Sequence, residues 1–161
     1  MVEFDLSFSS DGVAVVFHDD ELDRTTNGTG KLEDKTYEEV KQTRTVSFYR
    51  LLTNCLEIFQ LSKLDAAHNH IFKQEYSPEP IPTVENFVKE CLKLDLKMII
   101  DLKSWKNPDK TVEFILDLYK NNPDLYTNAM VSTFFPHLAY LIRKQDPKIV
   151  MGMAWRPYFL S

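Results

Sequence analysis

The constraint that most limits the fold lies in the second half of the chain, where short apolar runs alternate with amphipathic ones. Val84 to about Leu94 has helical spacing, with Thr83 placed as its N-cap. Lys97 to Lys103 follows as a strand with Met98-Ile99-Ile100 as its buried centre. A helix from Asp109 to about Asn121 stops before Pro123, and Ala129 to Phe135 is the next strand. Pro136 then opens a helix running to about Lys144, and Lys148 to Trp155 is a last strand. Helix and strand in strict turn argue for parallel βαβ units, an α/β architecture.

The first residues read differently. Val2 to Phe8 alternates, with Val2, Phe4, Leu6 and Phe8 on one face and Glu3, Asp5 and Ser7 on the other. Ser9-Ser10-Asp11-Gly12 is a turn signal, and Val13 to Phe17 is a second strand, so the pair forms a hairpin or a bent pair. Asn27-Gly28 and Gly30 mark another tight loop. Lys35 to Gln42 reads as a short helix. Val46 to Leu64 is a longer helical candidate, with Phe48, Leu51, Leu52, Cys55, Ile58, Phe59 and Leu61 at helical spacings. Residues 65 to 82 read as loop, and no linker divides the chain, so 1–161 is expected to be a single domain.

Composition excludes several functions. A net charge of -5 gives no support to a nucleic-acid role, and no run of Lys and Arg suits an anionic membrane surface. No apolar run approaches the roughly 20 residues that span a bilayer. The N-terminus lacks the basic and apolar regions of a signal peptide. Cys55 and Cys91 sit in apolar stretches without CxxC spacing and are expected to be buried free thiols; they do not fix the compartment. Both ends read as cut, since the chain enters a strand at its second residue and stops just after another.

Two groups of residues carry chemistry. Glu3 and Asp5 are two apart on a strand, so their carboxylates share a face, and neighbouring carboxylates repel unless a cation lies between them. A hard divalent ion such as Mg²⁺ or Ca²⁺ takes oxygen ligands of this kind. Asp101 and Lys103 share a face at the end of the next strand, where a third carboxylate could complete the site and an ammonium could hold a phosphate. His18 follows a buried run beside Asp19, whose carboxylate can orient the imidazole for proton transfer. Spacing leaves plainer readings open: the polar face of a half-exposed strand, a strand-end ion pair, a surface histidine. His68 and His70 have no evident third ligand, and His137 at a helix start suits a structural or solvated role. There is no phosphate-binding glycine loop and no GxSxG elbow.

Together these residues resemble a known family. Val2-Glu3-Phe4-Asp5, Asp11-Gly12, Val15-Val16-Phe17-His18-Asp19 and Leu22-Asp23-Arg24-Thr25-Thr26-Asn27-Gly28-Thr29-Gly30 are similar to the signature of glycerophosphodiester phosphodiesterases. Ile81-Pro82-Thr83 and Ile100-Asp101-Leu102-Lys103 continue it, and the likeness to the animal membrane-associated branch runs through Arg156-Pro157. The Asp23 to Gly30 stretch favours this family over a phosphoinositide-specific lipase, which shares the fold type.

The resemblance implies a TIM-type βα barrel of the phospholipase C-like phosphodiesterase kind, here incomplete. It implies metal-dependent hydrolysis of glycerophosphodiesters to glycerol 3-phosphate and an alcohol, as part of glycerophospholipid metabolism. Glu3, Asp5 and Asp101 would hold Mg²⁺ or Ca²⁺, Asp101 standing where many members carry Glu. Lys103 would hold the phosphate, and His18 would be the general acid or base. Membrane attachment is expected only through segments outside this chain. Three departures accompany the likeness. The family's first strand, with a His-Arg-Gly stretch that supplies the other half of the acid–base pair, would precede Met1. The last barrel strands would follow Ser161. Residues 43–63 read as an insertion ahead of Leu64-Asp65-Ala66-Ala67. The alternative expectation is a catalytically impaired module that binds metal, phosphodiester or a partner protein.

Overall fold

The computed structural model describes residues 1–41, 80–103 and 106–155. The helical candidate at 46–64, the expected insertion at 43–63, Cys55, His68 and His70 lie outside the described residues. The chain divides into two compact units, Met1–Leu6 with Cys91–Ser161, and Ser7–Glu90.

The first unit is built on parallel strands. β1 (Val2–Phe8) begins here, followed by β3 (Met98–Leu102), β4 (Ala129–Thr133) and β5 (Met151–Met153), in the spatial order β1-β3-β4-β5. All three pairings are parallel, as the alternating sequence pattern requires. The register sets Asp5 beside Asp101, Asp101 beside Ser132, and Ser132 beside Gly152. Paired residues in a parallel sheet point to the same side, so this row shares one face. The residues that alternate with it, Phe4, Leu6, Ile100, Leu102, Val131 and Thr133, are fully or almost fully buried.

Helices cover the apolar side. α3 (Pro108–Asn121) buries Val112, Ile115, Leu118 and Tyr119, and α5 (Pro136–Gln145) buries Leu138 and Ile142. α5 packs against α3, β4 and β5. Both helices start with proline in the first turn, where the missing N–H has no intrahelical partner to lose. Both end in basic residues, Lys120 and Arg143-Lys144, which suit the negative end of the helix dipole. Periodicity missed the one-turn α4 (Leu125–Asn128), because four residues cannot display a period of 3.6. The last strand is shorter than the Lys148–Trp155 expected: the backbone turns at Asp146, where Ile149 N–H donates to the Asp146 carbonyl at 3.3 Å.

The second unit begins with the tail of β1. Ser9 N–H donates to the Val13 carbonyl at 3.0 Å, and Ser7 Oγ donates to the Phe17 carbonyl at 2.9 Å, closing the expected hairpin onto β2 (Ala14–Val16). Gly12 turns this corner at φ +86°, in the left-handed region that favours glycine. A short 3₁₀ turn at Leu32–Asp34 precedes α1 (Tyr37–Lys41), which starts two residues later than Lys35. Thr36 is the reason. Its N–H donates to Glu39 Oε2 at 2.8 Å and its hydroxyl accepts from Glu39 N–H at 3.4 Å, a reciprocal cap that the Thr-x-x-Glu spacing encodes.

Val15, Phe17, Leu22, Leu32, Val40 and Ile81 make this unit's core. The Ile81-Pro82-Thr83 stretch lies alongside β2, with Val16 N–H donating to the Pro82 carbonyl at 3.0 Å and Thr83 bridged to Val15. Thr83 Oγ1 then accepts from Asn86 N–H at 3.3 Å, the N-cap expected for α2 (Val84–Lys93). Cys91 is a buried free thiol, as expected.

Ile100 is fully buried in the central strand, so Ile100→Ala is expected to lower the unfolding free energy by about 2–5 kcal/mol. Tyr140→Ala, at a residue 61% exposed, is expected to change it by less than about 0.5 kcal/mol. Urea denaturation of both variants checks the contrast.

Candidate active site

β1 and β3 place Glu3, Asp5, Asp101 and Lys103 together. Glu3, Asp5 and Asp101 each offer a carboxylate oxygen, and these oxygens lie within 4.8 Å of one another. Glu3 is exposed, whereas Asp5 and Asp101 are only 6% and 7% exposed. Buried like charges at this separation are costly without a counter-charge. Lys103 supplies one: its Nζ is 3.0 Å from Asp5 Oδ1 and 3.6 Å from Asp101 Oδ2. The strand-end ion pair that spacing allowed is therefore present, and it joins both strands.

Lys103 is shared between the two buried carboxylates. Asp101 Oδ1 is buried with no hydrogen-bond partner among the described residues. An orphaned carboxylate oxygen beside two further carboxylates is the donor set a hard divalent cation takes. The residues therefore fit such an ion. The sequence reading found all four of these residues, because their spacing on two strands is visible without the fold.

Ser132 is the polar neighbour that it missed. The parallel register sets it beside Asp101, half-buried on the same face. Nothing in the Met130-Val131-Ser132-Thr133 stretch signals this, since only the β3–β4 pairing creates the proximity.

His18 belongs to the second unit, directly after the strand that buries Val15, Val16 and Phe17. Its side chain is 63% exposed and its Nδ1 lies 2.6 Å from Asp19 Oδ1. Arg24 completes the group, with Nε donating to Asp19 Oδ2 at 2.6 Å and an Nη donating to Oδ1 at 2.8 Å. The Arg24 guanidinium holds the Asp19 carboxyl below the usual carboxylate range; partial burial opposes this, and His18 adds to it. His137 is exposed at the start of α5, in keeping with a solvated role.

Comparison with known proteins gives the family. The chain matches the glycerophosphoryl diester phosphodiesterase family over residues 1–161. It belongs to that family. Mouse glycerophosphodiester phosphodiesterase 1 is 36% identical over 160 residues, and the human protein of that name is 34% identical over the same length. Each match takes in 99% of this chain and 41% of the relative, so the chain spans about two fifths of these relatives' length. Among solved structures, an Oleispira antarctica phosphodiesterase in complex with the product sn-glycerol-3-phosphate aligns with a TM-score of 0.69 at 23% identity. That alignment covers 94% of this chain and 52% of the other. The fold is thus that of the family's TIM-type barrel, with the described strands forming part of one. No helix among the described residues is long and apolar enough to cross a membrane.

Two outcomes follow from this geometry. Mg²⁺ or Ca²⁺ at about 100 times its Kd is expected to stabilise the fold by about 2.7 kcal/mol in thermal melts, and Asp101→Asn is expected to abolish most of that gain. Asp19, with its folded pKa depressed, contributes stability that is present above the ordinary Asp value near 3.8 and lost as pH falls through the folded value. The stability difference between the native chain and Asp19→Asn should therefore be larger at about pH 7 than at about pH 2, measured by urea midpoints.

Proposed function

We propose that the chain carries part of the catalytic site of a divalent-cation-dependent diesterase that releases glycerol 3-phosphate and an alcohol from glycerophosphodiesters. The observation that carries this reading is the group formed by Glu3, Asp5, Asp101 and Lys103, together with family membership over the whole chain. The product bound to the Oleispira antarctica phosphodiesterase supports the same substrate class.

Glu3, Asp5 and Asp101 hold the cation, Mg²⁺ or Ca²⁺. When bound, such an ion polarises a phosphoryl oxygen and neutralises charge that develops there. Lys103, whose ammonium lies beside Asp5 and Asp101, would hold a non-bridging phosphate oxygen. Asp101, one methylene shorter than the Glu that many members carry, keeps its carboxylate closer to the β3 backbone. His18 moves a proton to or from a diester oxygen. Residues 1–161 act as one part of the barrel domain, with 43–63 as an insertion in it.

Asp5→Ala is expected to lower the rate of glycerol 3-phosphate release from glycerophosphocholine by roughly 10³-fold or more in Mg²⁺, because it removes a cation ligand and a partner of Lys103 together. A coupled glycerol 3-phosphate assay on the protein and the variant measures this. An unchanged rate in Asp5→Ala would overturn the role given to the acidic group.

A further inference from the structure

The ordinary fate of an exposed ion pair is to contribute little. The His18, Asp19 and Arg24 group departs from that pattern in three ways. The contact is bidentate, so the guanidinium plane and both Asp19 oxygens are fixed relative to each other. Asp19 Oδ1 is shared between Arg24 and His18 Nδ1, so the carboxylate cannot turn toward one without leaving the other. Third, the backbone that presents Arg24 is tied down on both sides.

That backbone is fixed by its own hydrogen bonds. Leu22 N–H donates to the Gly30 carbonyl at 2.9 Å, and Leu32 N–H donates to the Asp20 carbonyl at 3.0 Å. Gly30 N–H donates to Asp23 Oδ2 at 2.8 Å, and Gly30 stands at φ +85°, where a side chain would be strained. After Arg24 the chain is held again, with Thr26 Oγ1 donating to the Leu22 carbonyl at 2.7 Å and accepting from Gly28 N–H at 2.8 Å. Leu22, Thr25 and Thr26 are buried around an arginine that is itself exposed. The loop is rigid where Arg24 leaves it.

We propose that Arg24 is a positioning residue: it clamps Asp19 so that His18 is held with Nδ1–H donating to that carboxylate, leaving Nε2 as the nitrogen that exchanges a proton with substrate. This rests on the reading of His18 as the acid–base group. A free neutral imidazole carries its proton mainly on Nε2, so a carboxylate fixed at Nδ1 reverses the preference. Without the guanidinium, the Asp19 side chain is free to rotate into water, and both the ring orientation and the tautomer relax.

The test is the ring itself. Long-range ¹H–¹⁵N correlation spectra of the labelled chain report which nitrogen of each histidine is protonated, and His18→Gln assigns the His18 signals. The neutral His18 ring is expected in the Nδ1–H form, and Arg24→Ala is expected to shift it toward Nε2–H. Arg24→Lys, which retains charge but not the fork, is expected to fall between the two and serves if the alanine variant does not fold. An Nδ1–H population unchanged in both variants, or an Nε2–H ring in the native chain, overturns the inference. This readout requires no turnover. In diester hydrolysis Arg24→Ala is expected to lower kcat about 10–100-fold with KM unchanged. If His18→Gln retains full turnover, the acid–base reading fails whatever the tautomer. If His18→Gln abolishes turnover while Arg24→Ala alters neither turnover nor tautomer, only the role of Arg24 fails.

Discussion

The parallel pairing of β1 with β3 is the constraint on which the candidate site depends. Side chains alternate along a strand, so a slip of one residue would send Asp5 to the apolar face and Phe4 to the polar one. The cost of setting the Asp5 carboxylate among apolar side chains, or Phe4 on the polar face, forbids the slip. The same rule that packs Phe4, Leu6, Ile100 and Leu102 into the core therefore brings Asp5 beside Asp101. Core packing and site assembly are two faces of one register.

Bringing those carboxylates together has an energetic consequence. Two buried carboxylates beside an exposed third call for positive charge, and Lys103 lies against both buried ones. Among the described residues Asp101 Oδ1 has no hydrogen-bond partner. Such an arrangement is poor for stability alone, since like charges buried side by side are among the more costly features a fold can carry. It is an arrangement that could hold a bound cation.

The second unit solves a different problem, that of fixing loops. Among its described residues are several local hydrogen bonds: the Thr36 and Glu39 cap, the Ser9 to Val13 turn, and the ties between residues 20 and 32. These hold a small apolar core of Val15, Phe17, Leu22, Leu32, Val40 and Ile81 and leave His18 and Arg24 at its surface on backbone that does not wander. Polar residues on the outside of a rigid loop are the usual way a scaffold presents chemistry.

Much of this could be read in the residues. Alternation along Val2 to Phe8 and the helix–strand succession after Thr83 encode the strands, the parallel order and the candidate residues Glu3, Asp5, Asp101 and Lys103, because side-chain periodicity is a property of the local backbone. Family resemblance supplied the chemistry attached to them. Two features depended on contacts between distant segments and were invisible to any window of sequence. Ser132 lies beside Asp101 only through the β3–β4 register, and Lys103 meets Asp5 only because β1 and β3 pair. Arg24 is only five residues from Asp19, but the loop closure that joins Leu22 to Gly30 and Asp20 to Leu32 fixes how they meet. Local pattern decides which face a side chain takes; only the folded chain decides what it faces.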